Sequence, residues 1–252
     1  MADRSTSDLY DHPDLYDALL PAEAQASFYA GLARQHAGPV LEVACGTGLI
    51  TIPIALEGVP TVGLDQSAAM LAAAQARAAA AQAPVTFVQA DMRSFVLDRH
   101  FRLIVIARNS LLHLLSTADL LAAFAAVRRH LAADGVLAFD IFNPDVLRLA
   151  RPAGQRFPVM EVDTTRFGRV RVEETADYDA AAQVNRAAWH ITAPAQQSEW
   201  TVPMVLRSIF PQELPLLLDA AGLELVSRFG EVSGAPFTSR SRIQLCLCRR
   251  RP

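Results

Sequence analysis

Residues 39–48 read Pro-Val-Leu-Glu-Val-Ala-Cys-Gly-Thr-Gly, and this stretch decides the fold. It begins as a short apolar strand that carries one acid, Glu42. It continues into a turn of small residues in which Gly46 and Gly48 open a helical pattern. Glycines let a ligand touch the backbone of such a turn, and open α/β sheets bind nucleotide-like ligands at their strand ends. The stretch therefore predicts an α/β protein that binds a nucleoside-containing ligand.

The turn argues against a dinucleotide as that ligand. A dinucleotide-binding turn reads Gly-x-Gly-x-x-Gly, and its helix N-terminus faces a pyrophosphate. Here the frame that starts at Gly46 ends at Thr51 rather than at a glycine or alanine, and Glu42 would repel a pyrophosphate. An acid beside a glycine turn suits a ligand with positive charge. S-adenosylmethionine carries two such groups, an ammonium and a sulfonium.

Residues 39–48 resemble motif I of the class I S-adenosylmethionine-dependent methyltransferases, which usually reads acid-x-Gly-x-Gly-x-Gly. The chain departs from this pattern once, because Ala44 stands at the first glycine. We expect Ala44 to keep a negative φ and its methyl group to leave the pocket open. The resemblance covers most of the chain, is strong for residues 39–143, and points to small-molecule N-methyltransferases of the glycine and amino-sugar type, with a nitrogen or oxygen atom of a small molecule as the methyl acceptor. It implies S-adenosylmethionine as the cofactor, contacted along the turn by Glu42, Ala44, Cys45, Gly46, Thr47 and Gly48.

Length, composition and charge narrow the class of protein. The chain has 252 residues, of which 52% are hydrophobic, enough for one α/β domain with an elaboration. Its net charge of −3, from 23 Arg and no Lys against 26 acids, argues against a nucleic-acid partner. Three cysteines without metal-ligand spacing suit a reducing compartment. No apolar run approaches the roughly 18 residues of a membrane span, so we predict a cytoplasmic protein. The oligomeric state stays open, with a homodimer possible.

Short apolar runs alternate with helical patterns between residues 39 and 143, as in parallel strands joined by helices. The patterns predict strands at 39–44, 60–64, 85–89, 102–107 and 135–142, and helices at 47–57, 67–82 and 117–132. Residues 144–210 instead alternate apolar with polar side chains at 170–178, 182–192 and 198–209, which predicts an antiparallel meander. A helix from Pro211 to Gly222 and strands near 223–231 and 241–248 follow.

These elements imply a doubly wound, mostly parallel seven-stranded sheet with helices on both faces and an inserted antiparallel β lid. We expect a cofactor-binding core at 38–143, a substrate lid at 144–210, and a return to the core at 211–252. Residues 1–37 form a leader with an amphipathic helix near residues 22–35. In the family that the chain resembles, insertions at the position of 144–210 roof the active site.

Two further acids follow predicted strands. Asp65 ends the second strand, nineteen residues after Gly46, where an acid accepts both ribose hydroxyls. Alternatively Asp65, or Ser67, caps the next helix. Asp91 follows the third strand, where it could accept the adenine amino group or simply belong to a loop. By resemblance, Gln66 and Met70 lie along the ribose and adenine, and Met92 lies on the base.

The fourth strand leads into Arg108-Asn109-Ser110-Leu111-Leu112-His113. Its carboxyl end faces the reactive methyl group by topology, and small-molecule N-methyltransferases carry a similar Asn/Ser-Ser-x-x-His-Leu segment here. The resemblance assigns Arg108 and Asn109 to the cofactor, and Asn109 and His113 to catalysis. His113 could act as the base, orient the acceptor, or only pack under the following helix. Tyr16 lies in a leader segment that resembles one closing over the cofactor, or it only packs the leader.

The sequence bears on several alternative functions and on the presence of a metal site. DNA amino-methyltransferases need an Asn/Asp-Pro-Pro-aromatic segment after the fourth strand, and it is absent. The same loop lacks an acid cluster, so we predict no metal. A non-catalytic S-adenosylmethionine-binding protein is a rival function, and a nucleic-acid methyltransferase is a weaker one. Arg186, His190 and Arg207 could share one face of the meander and meet the acceptor, or be merely solvated.

Overall fold

The computed structural model describes residues 4–6 and 9–251, which form two compact units. The larger unit contains residues 22–143 and 209–251, and the smaller contains residues 144–208 with the described residues up to 21. The predicted leader is thereby divided, because its long helix belongs to the larger unit and the preceding segment to the smaller.

The strands are β1 (Arg4–Thr6), β2 (Val40–Val43), β3 (Thr61–Asp65), β4 (Val85–Gln89), β5 (Phe101–Ile106), β6 (Leu131–Phe142), β7 (Phe157–Thr164), β8 (Gly168–Asp179), β9 (Val184–Ala193), β10 (Ser198–Arg207), β11 (Leu223–Phe229) and β12 (Ile243–Arg250). The α-helices are α1 (Pro13–Leu19), α2 (Glu23–His36), α3 (Thr51–Leu56), α4 (Ala68–Ala80), α5 (Thr117–His130), α6 (Val146–Leu149) and α7 (Leu214–Ala220). Neither α2 nor α5, each of 14 residues, nor any other helix of the described chain is long and apolar enough to cross a bilayer.

The larger unit is built on a seven-stranded sheet in the order β11-β12-β6-β5-β2-β3-β4. Neighbours from β6 to β4 are parallel, whereas β12 is antiparallel to both β6 and β11. The predicted fold class is confirmed. The chain leaves β2 toward β3 and later returns to β5 on the other side, so the strand order reverses between β2 and β5. Ligands of open α/β sheets bind at the carboxyl ends of strands at such a point.

Burial explains why β2 and β5 lie at the centre. All four residues of β2 are buried, and β5 is buried except at Arg102. Strands covered on both faces read as continuous apolar runs, so an acid within β2 is an exception that needs a partner. Glu42 is that acid.

The turn after β2 differs from the prediction in two ways. Ala44 has φ +60°, not the expected negative value, so Ala44, Gly46 (φ +53°) and Gly48 (φ +79°) all have left-handed backbones. The predicted helix at 47–57 begins only at Thr51, because a residue with the φ of Gly48 cannot continue a right-handed helix. The turn is therefore longer than the pattern suggested.

The smaller unit contains a five-stranded sheet in the order β1-β10-β9-β8-β7. The predicted meander corresponds to β8, β9 and β10. The sequence missed β7, whose Pro158 and irregular pairing at Pro158/Met160 weaken the strand pattern, and the short helix α1. One face of this sheet and α1 share an apolar cluster that includes Leu15, Val172, Trp189 and Ile191.

The left-handed Ala44 predicts that glycine is the better residue there. Left-handed φ costs an L residue about 1 to 2 kcal/mol, and the freedom of glycine in the unfolded chain offsets about 0.4 to 1 kcal/mol. We expect Ala44→Gly to raise the free energy of unfolding by about 0.5 to 1 kcal/mol, measured by urea denaturation. The same change at the exposed Ala76 in α4 should lower it by about 0.5 to 1 kcal/mol. Equal losses in both variants would contradict the strain at Ala44.

Candidate functional site

The glycine turn is joined to the end of β3 by Asp65. Gly46 N donates to Asp65 Oδ2 at 2.8 Å, and Ser67 N donates to Asp65 Oδ1 at 2.9 Å. Ser67, not Asp65, caps α4, since Ser67 Oγ accepts from Met70 N at 3.2 Å. The capping alternative for Asp65 is therefore excluded. A carboxylate has about four acceptor positions, so the two backbone bonds fix Asp65 and still leave it able to accept hydroxyl donors.

The turn has empty space beside Gly46, whereas neighbouring side chains pack against Thr47 and Gly48. A Cβ on Gly46 would meet no heavy atom within 4 Å, whereas one on Gly48 would lie 3.1 Å from Ile52 Cδ1. Thr47 is buried, and Arg77 Nη1 on α4 donates to its carbonyl and hydroxyl oxygens at 2.9 and 3.0 Å. The sequence did not single out Arg77. Cys45 is buried as well, and its N–H and carbonyl are bonded to Leu64 O and Gly48 N, each at 2.9 Å.

Glu42 lies under the turn with 2% exposure. Thr51 Oγ1 donates to its carboxyl group from the first residue of α3. Burial raises the pKa of Glu42 to about 8, against the opposing effects of the Thr51 hydrogen bond and the Arg108 charge. Glu42 is thus mostly protonated at neutral pH until a cation approaches it.

The acid after β4 is already paired. The Arg93 guanidinium binds Asp91 through Nε–Oδ1 at 3.0 Å and Nη2–Oδ2 at 2.5 Å, and reaches Asp119 at 3.0 Å. The hydrogen bond from Arg93 lowers the pKa of Asp91. Met92 is half-buried beside it. An adenine amino group would therefore share Asp91 with Arg93, which the sequence did not predict.

The two residues predicted to lie along the ribose and adenine differ in exposure. Gln66 is exposed just after β3, and its carbonyl accepts from Gln89 Nε2 at 3.1 Å. Met70 is 1% exposed, because the first turn of α4 directs it into the core. Met70 thus presents little surface in this structure, and its contact with the ribose or adenine stays a prediction.

The loop after β5 contains two consecutive left-handed residues, Arg108 (φ 58°) and Asn109 (φ 65°). Asn109 Oδ1 accepts from Phe142 N at 2.6 Å, which leaves its amide nitrogen outside this bond. His113 ends the 3₁₀ helix Ser110–His113 and is half-buried. Asp140 on β6, which the sequence analysis did not select, binds the Arg108 backbone. A charged residue inside the apolar run Leu137–Ile141 was the signal that could have revealed it.

The remaining predicted residues lie in the smaller unit. Tyr16 packs beside its apolar cluster, with the Tyr10 ring centroid 5.8 Å away. Strand pairing puts Arg186, His190 and Arg207 on one face, opposite Val205, Thr201 and Val184 respectively. Arg186 is exposed, and His190 Nε2 lies 3.0 Å from Thr175 Oγ1. Arg207 is buried with 5% exposure, so the expectation of a solvated face fails there.

No group of three or more His, Cys, Asp or Glu side chains suited to a metal ion occurs in the part of the chain that the structure describes. The three acids are separate groups on adjacent strands: Glu42 lies one residue before the end of β2, Asp65 ends β3, and Asp91 follows β4. Carboxylates spread along a strand edge suit the ammonium and hydroxyl groups of one extended organic ligand.

Comparisons with known proteins agree with this geometry. Residues 40–135 match the protein family described as a methyltransferase domain. This part of the chain is similar to a methyltransferase domain. The match starts at the first residue of β2 and includes β3, β4, β5 and the first residues of β6, so it contains the three acids and His113. The predicted resemblance to the class I methyltransferases is confirmed.

Relatives of the methyltransferase domain include two curated proteins and a solved structure. The chain is 39% identical over 107 residues to the putative methyltransferase YqeM of Bacillus subtilis, covering 42% of this chain and 43% of that protein. It is 36% identical over 138 residues to the dTDP-3-amino-3,4,6-trideoxy-alpha-D-glucopyranose N,N-dimethyltransferase of Streptomyces venezuelae, covering 52% and 56%. The chain thus spans about half the length of these curated relatives. The CcbJ methyltransferase of Streptomyces caelestis has a TM-score of 0.79 at 27% identity, covering 91% and 89%.

The buried Glu42 predicts a specific pH dependence of stability. The pKa of Glu42 is about 8 in the folded domain and near 4.5 in the unfolded chain. Between pH 4.5 and pH 8, the folded protein therefore keeps a proton on Glu42 that the unfolded chain has lost. Stability therefore falls as pH rises from about 5 to 8. Glu42→Gln keeps the size without the titration, and we expect it to remove up to about 3 kcal/mol of that fall.

Urea unfolding at several pH values measures this difference. Glu224→Gln, an exposed glutamate on β11, is the matched control and should follow the parent protein. If Glu42→Gln loses stability between pH 5 and 8 as steeply as the parent protein, Glu42 is ionised in the folded state.

Proposed function

We propose that the protein transfers the methyl group of S-adenosylmethionine to a nitrogen atom of a small molecule. The observation that carries this proposal is the series Glu42, Asp65 and Asp91 on adjacent strands, with the open backbone of Gly46 at the first of them. The acceptor class is supported by the dimethyltransferase of Streptomyces venezuelae, whose name specifies an amino sugar and nitrogen methylation.

The residues present fit this cofactor. Glu42 would supply the negative charge that stabilises the ammonium group, and the ligand in turn would favour ionised Glu42. Asp65 would accept the ribose hydroxyls while it keeps its bonds to Gly46 and Ser67. Asp91 and Met92 would meet the adenine, with Arg93 moving aside or sharing the carboxylate. A pyrophosphate-containing cofactor fits poorly, because it would lie beside three acids.

The cofactor supplies an electrophilic methyl group that needs no further activation by the protein. The domain has to align the acceptor nitrogen, exclude water and remove one proton. Alignment alone can contribute about 7 to 11 kcal/mol to lowering the barrier. His113 and Asn109 follow the strand that ends at the switch point, and we assign to His113 the holding or removal of the acceptor proton. We also assign to Tyr16 the proposed role of closing over the cofactor.

Acceptor choice is assigned to the smaller unit, because every residue proposed to bind the cofactor lies in the larger one. His190 and Arg186 on its polar face are the proposed contacts. Burial lowers the pKa of His190, with Arg156 acting in the same direction. Its Nδ1 lies 3.3 Å from Arg156 Nη2 and its Nε2 lies 3.0 Å from Thr175 Oγ1, so an acceptor that bonds to His190 would replace one of these partners.

Two further parts of the proposal concern surroundings and partners. Cys45, Cys246 and Cys248 are buried and unbridged, in keeping with a reducing, cytoplasmic location. The acidic balance of the chain favours a small-molecule acceptor over nucleic acid.

Cofactor binding is the first test. Titration calorimetry should detect binding of S-adenosylmethionine to the parent protein, and methyl-labelled cofactor should label an amine in a panel of amino sugars and amino acids. Asp65→Ala removes a charged acceptor and should weaken binding by about 1.5 to 3 kcal/mol. The exposed Asp98→Ala is the control and should bind normally. An affinity unchanged by Asp65→Ala would reject the ribose assignment, and binding without turnover on every amine would favour a non-catalytic sensor.

Substitution of two histidines should separate catalysis from acceptor binding. We expect His113→Asn to lower kcat by ~10² to 10⁴, because a general base contributes that much. His190→Asn should instead raise the acceptor KM with little change in kcat. Cofactor Kd should stay constant in both, as measured by calorimetry. A parallel loss of melting temperature and cofactor affinity in His113→Asn, with normal turnover per folded molecule, would show that His113 is structural.

A further inference from the structure

A buried pair of side chains, Tyr29 and Asp140, lies under the loop that follows β5. Tyr29 on α2 donates its hydroxyl to Asp140 Oδ1 at 2.5 Å, across 111 positions of sequence. Tyr29 is 0% exposed and Asp140 is 3% exposed. Burial of a carboxylate is unfavourable unless hydrogen bonds compensate it. Neither residue is used by the proposed function so far, so the pair needs another explanation.

Asp140 binds two consecutive peptide N–H groups of the loop. Arg108 N lies 3.1 and 3.0 Å from its two carboxyl oxygens, and Asn109 N donates to its backbone carbonyl at 3.0 Å. One residue of β6 therefore fixes both peptide units of the turn that follows β5.

The same two loop residues have strained backbones. Arg108 and Asn109 have φ values of 58° and 65°, a conformation that side-chain-bearing residues adopt rarely and keep only where the surroundings enforce it. Asp140 contributes to that enforcement, together with the bond from Phe142 N to Asn109 Oδ1 at 2.6 Å.

The direction of the chain after this turn depends on those two φ values. The 3₁₀ helix Ser110–His113 starts directly after Asn109, and Leu112 N donates to the Asn109 carbonyl at 2.8 Å. Relaxation of either residue to a right-handed backbone would swing this helix, and His113 with it.

We propose that Asp140, held by Tyr29, is a positioning residue for methyl transfer: it locks the Arg108–Asn109 turn and thereby sets the orientation of His113. The inference rests on the proposed function, which gives His113 its role. The loop that carries His113 is thereby stabilised by residues of β6 and α2, which are distinct from the acids proposed to bind the cofactor.

The charges around the pair make this support sensitive to the Tyr29 hydroxyl. Burial raises the pKa of Asp140, and the Tyr29 hydrogen bond and Arg108 oppose this rise. Cys246 on β12 also interacts with Asp140, and Glu42 on β2 interacts with Tyr29. Loss of the hydroxyl should raise the pKa of Asp140 further, and a protonated carboxyl group accepts more weakly from Arg108 N.

The test compares Tyr29→Phe with Tyr178→Phe, which makes the same change on β8 in the smaller unit. Amide hydrogen exchange at Arg108 and Asn109 should speed up by about tenfold or more in Tyr29→Phe and stay unchanged in Tyr178→Phe. Turnover kcat should fall by roughly 10- to 100-fold, as expected for a misplaced catalytic group, with cofactor Kd unchanged. The acid limb of its pH profile should move to higher pH.

Asp140→Asn is the second variant, because it keeps the volume but cannot titrate. We expect low kcat at every pH and fast exchange at the same two amides. A fall in melting temperature with parental exchange at Arg108 and Asn109 and parental kcat would overturn the inference, as would an unmoved acid limb in Tyr29→Phe. If the parent protein methylates no amine, the proposed function fails, and the exchange measurement still decides whether Asp140 locks the turn.

Discussion

Two carboxyl groups buried at strand ends on either side of β5 are the constraint on which the site depends. Glu42 on β2 is satisfied by the Thr51 hydroxyl, and Asp140 on β6 by Tyr29 and the Arg108 peptide. A buried acid is tolerated only with such partners, so each acid dictates the path of the chain around it. Glu42 links β2 to the first residue of α3, and Asp140 fixes the loop after β5. The switch point between β2 and β5 is thereby bordered by two chain segments, each of which bonds to a buried acid.

Backbone strain at the site follows from the same packing. Ala44, Arg108 and Asn109 are left-handed residues with side chains, and all lie in loops at these strand ends. Residues with strained backbones are common at sites where a protein pre-organises groups for a ligand. A small ligand then meets peptide groups that are already oriented, and less ordering entropy is lost on binding. This arrangement accounts for a site built mainly from backbone and a few acids.

The sequence predicted those features of the fold and site that depend on residues close together in the chain. Strand runs, the glycine turn and the acid after each strand gave the sheet, its boundaries near Val85–Gln89, and the position of Asp65. Contacts between distant residues were not readable: nothing in the pattern pairs Tyr29 with Asp140, or Arg93 with Asp119. The left-handed Ala44 was missed because tertiary packing overrode its preference for negative φ. The burial of Arg207 was missed because strand periodicity gives a face, not what covers it.

Proton release on cofactor binding tests the central claim most directly. Calorimetric titration of S-adenosylmethionine at pH 7, in two buffers that differ in ionisation enthalpy, counts the protons exchanged. Glu42, with its pKa of about 8, should be protonated in the free protein and ionised beside the bound ammonium group. We predict that the parent protein releases close to one proton more than Glu42→Gln. Equal proton counts in the two proteins would contradict the account, because Glu42 would then not be the acid that meets the cofactor's charge.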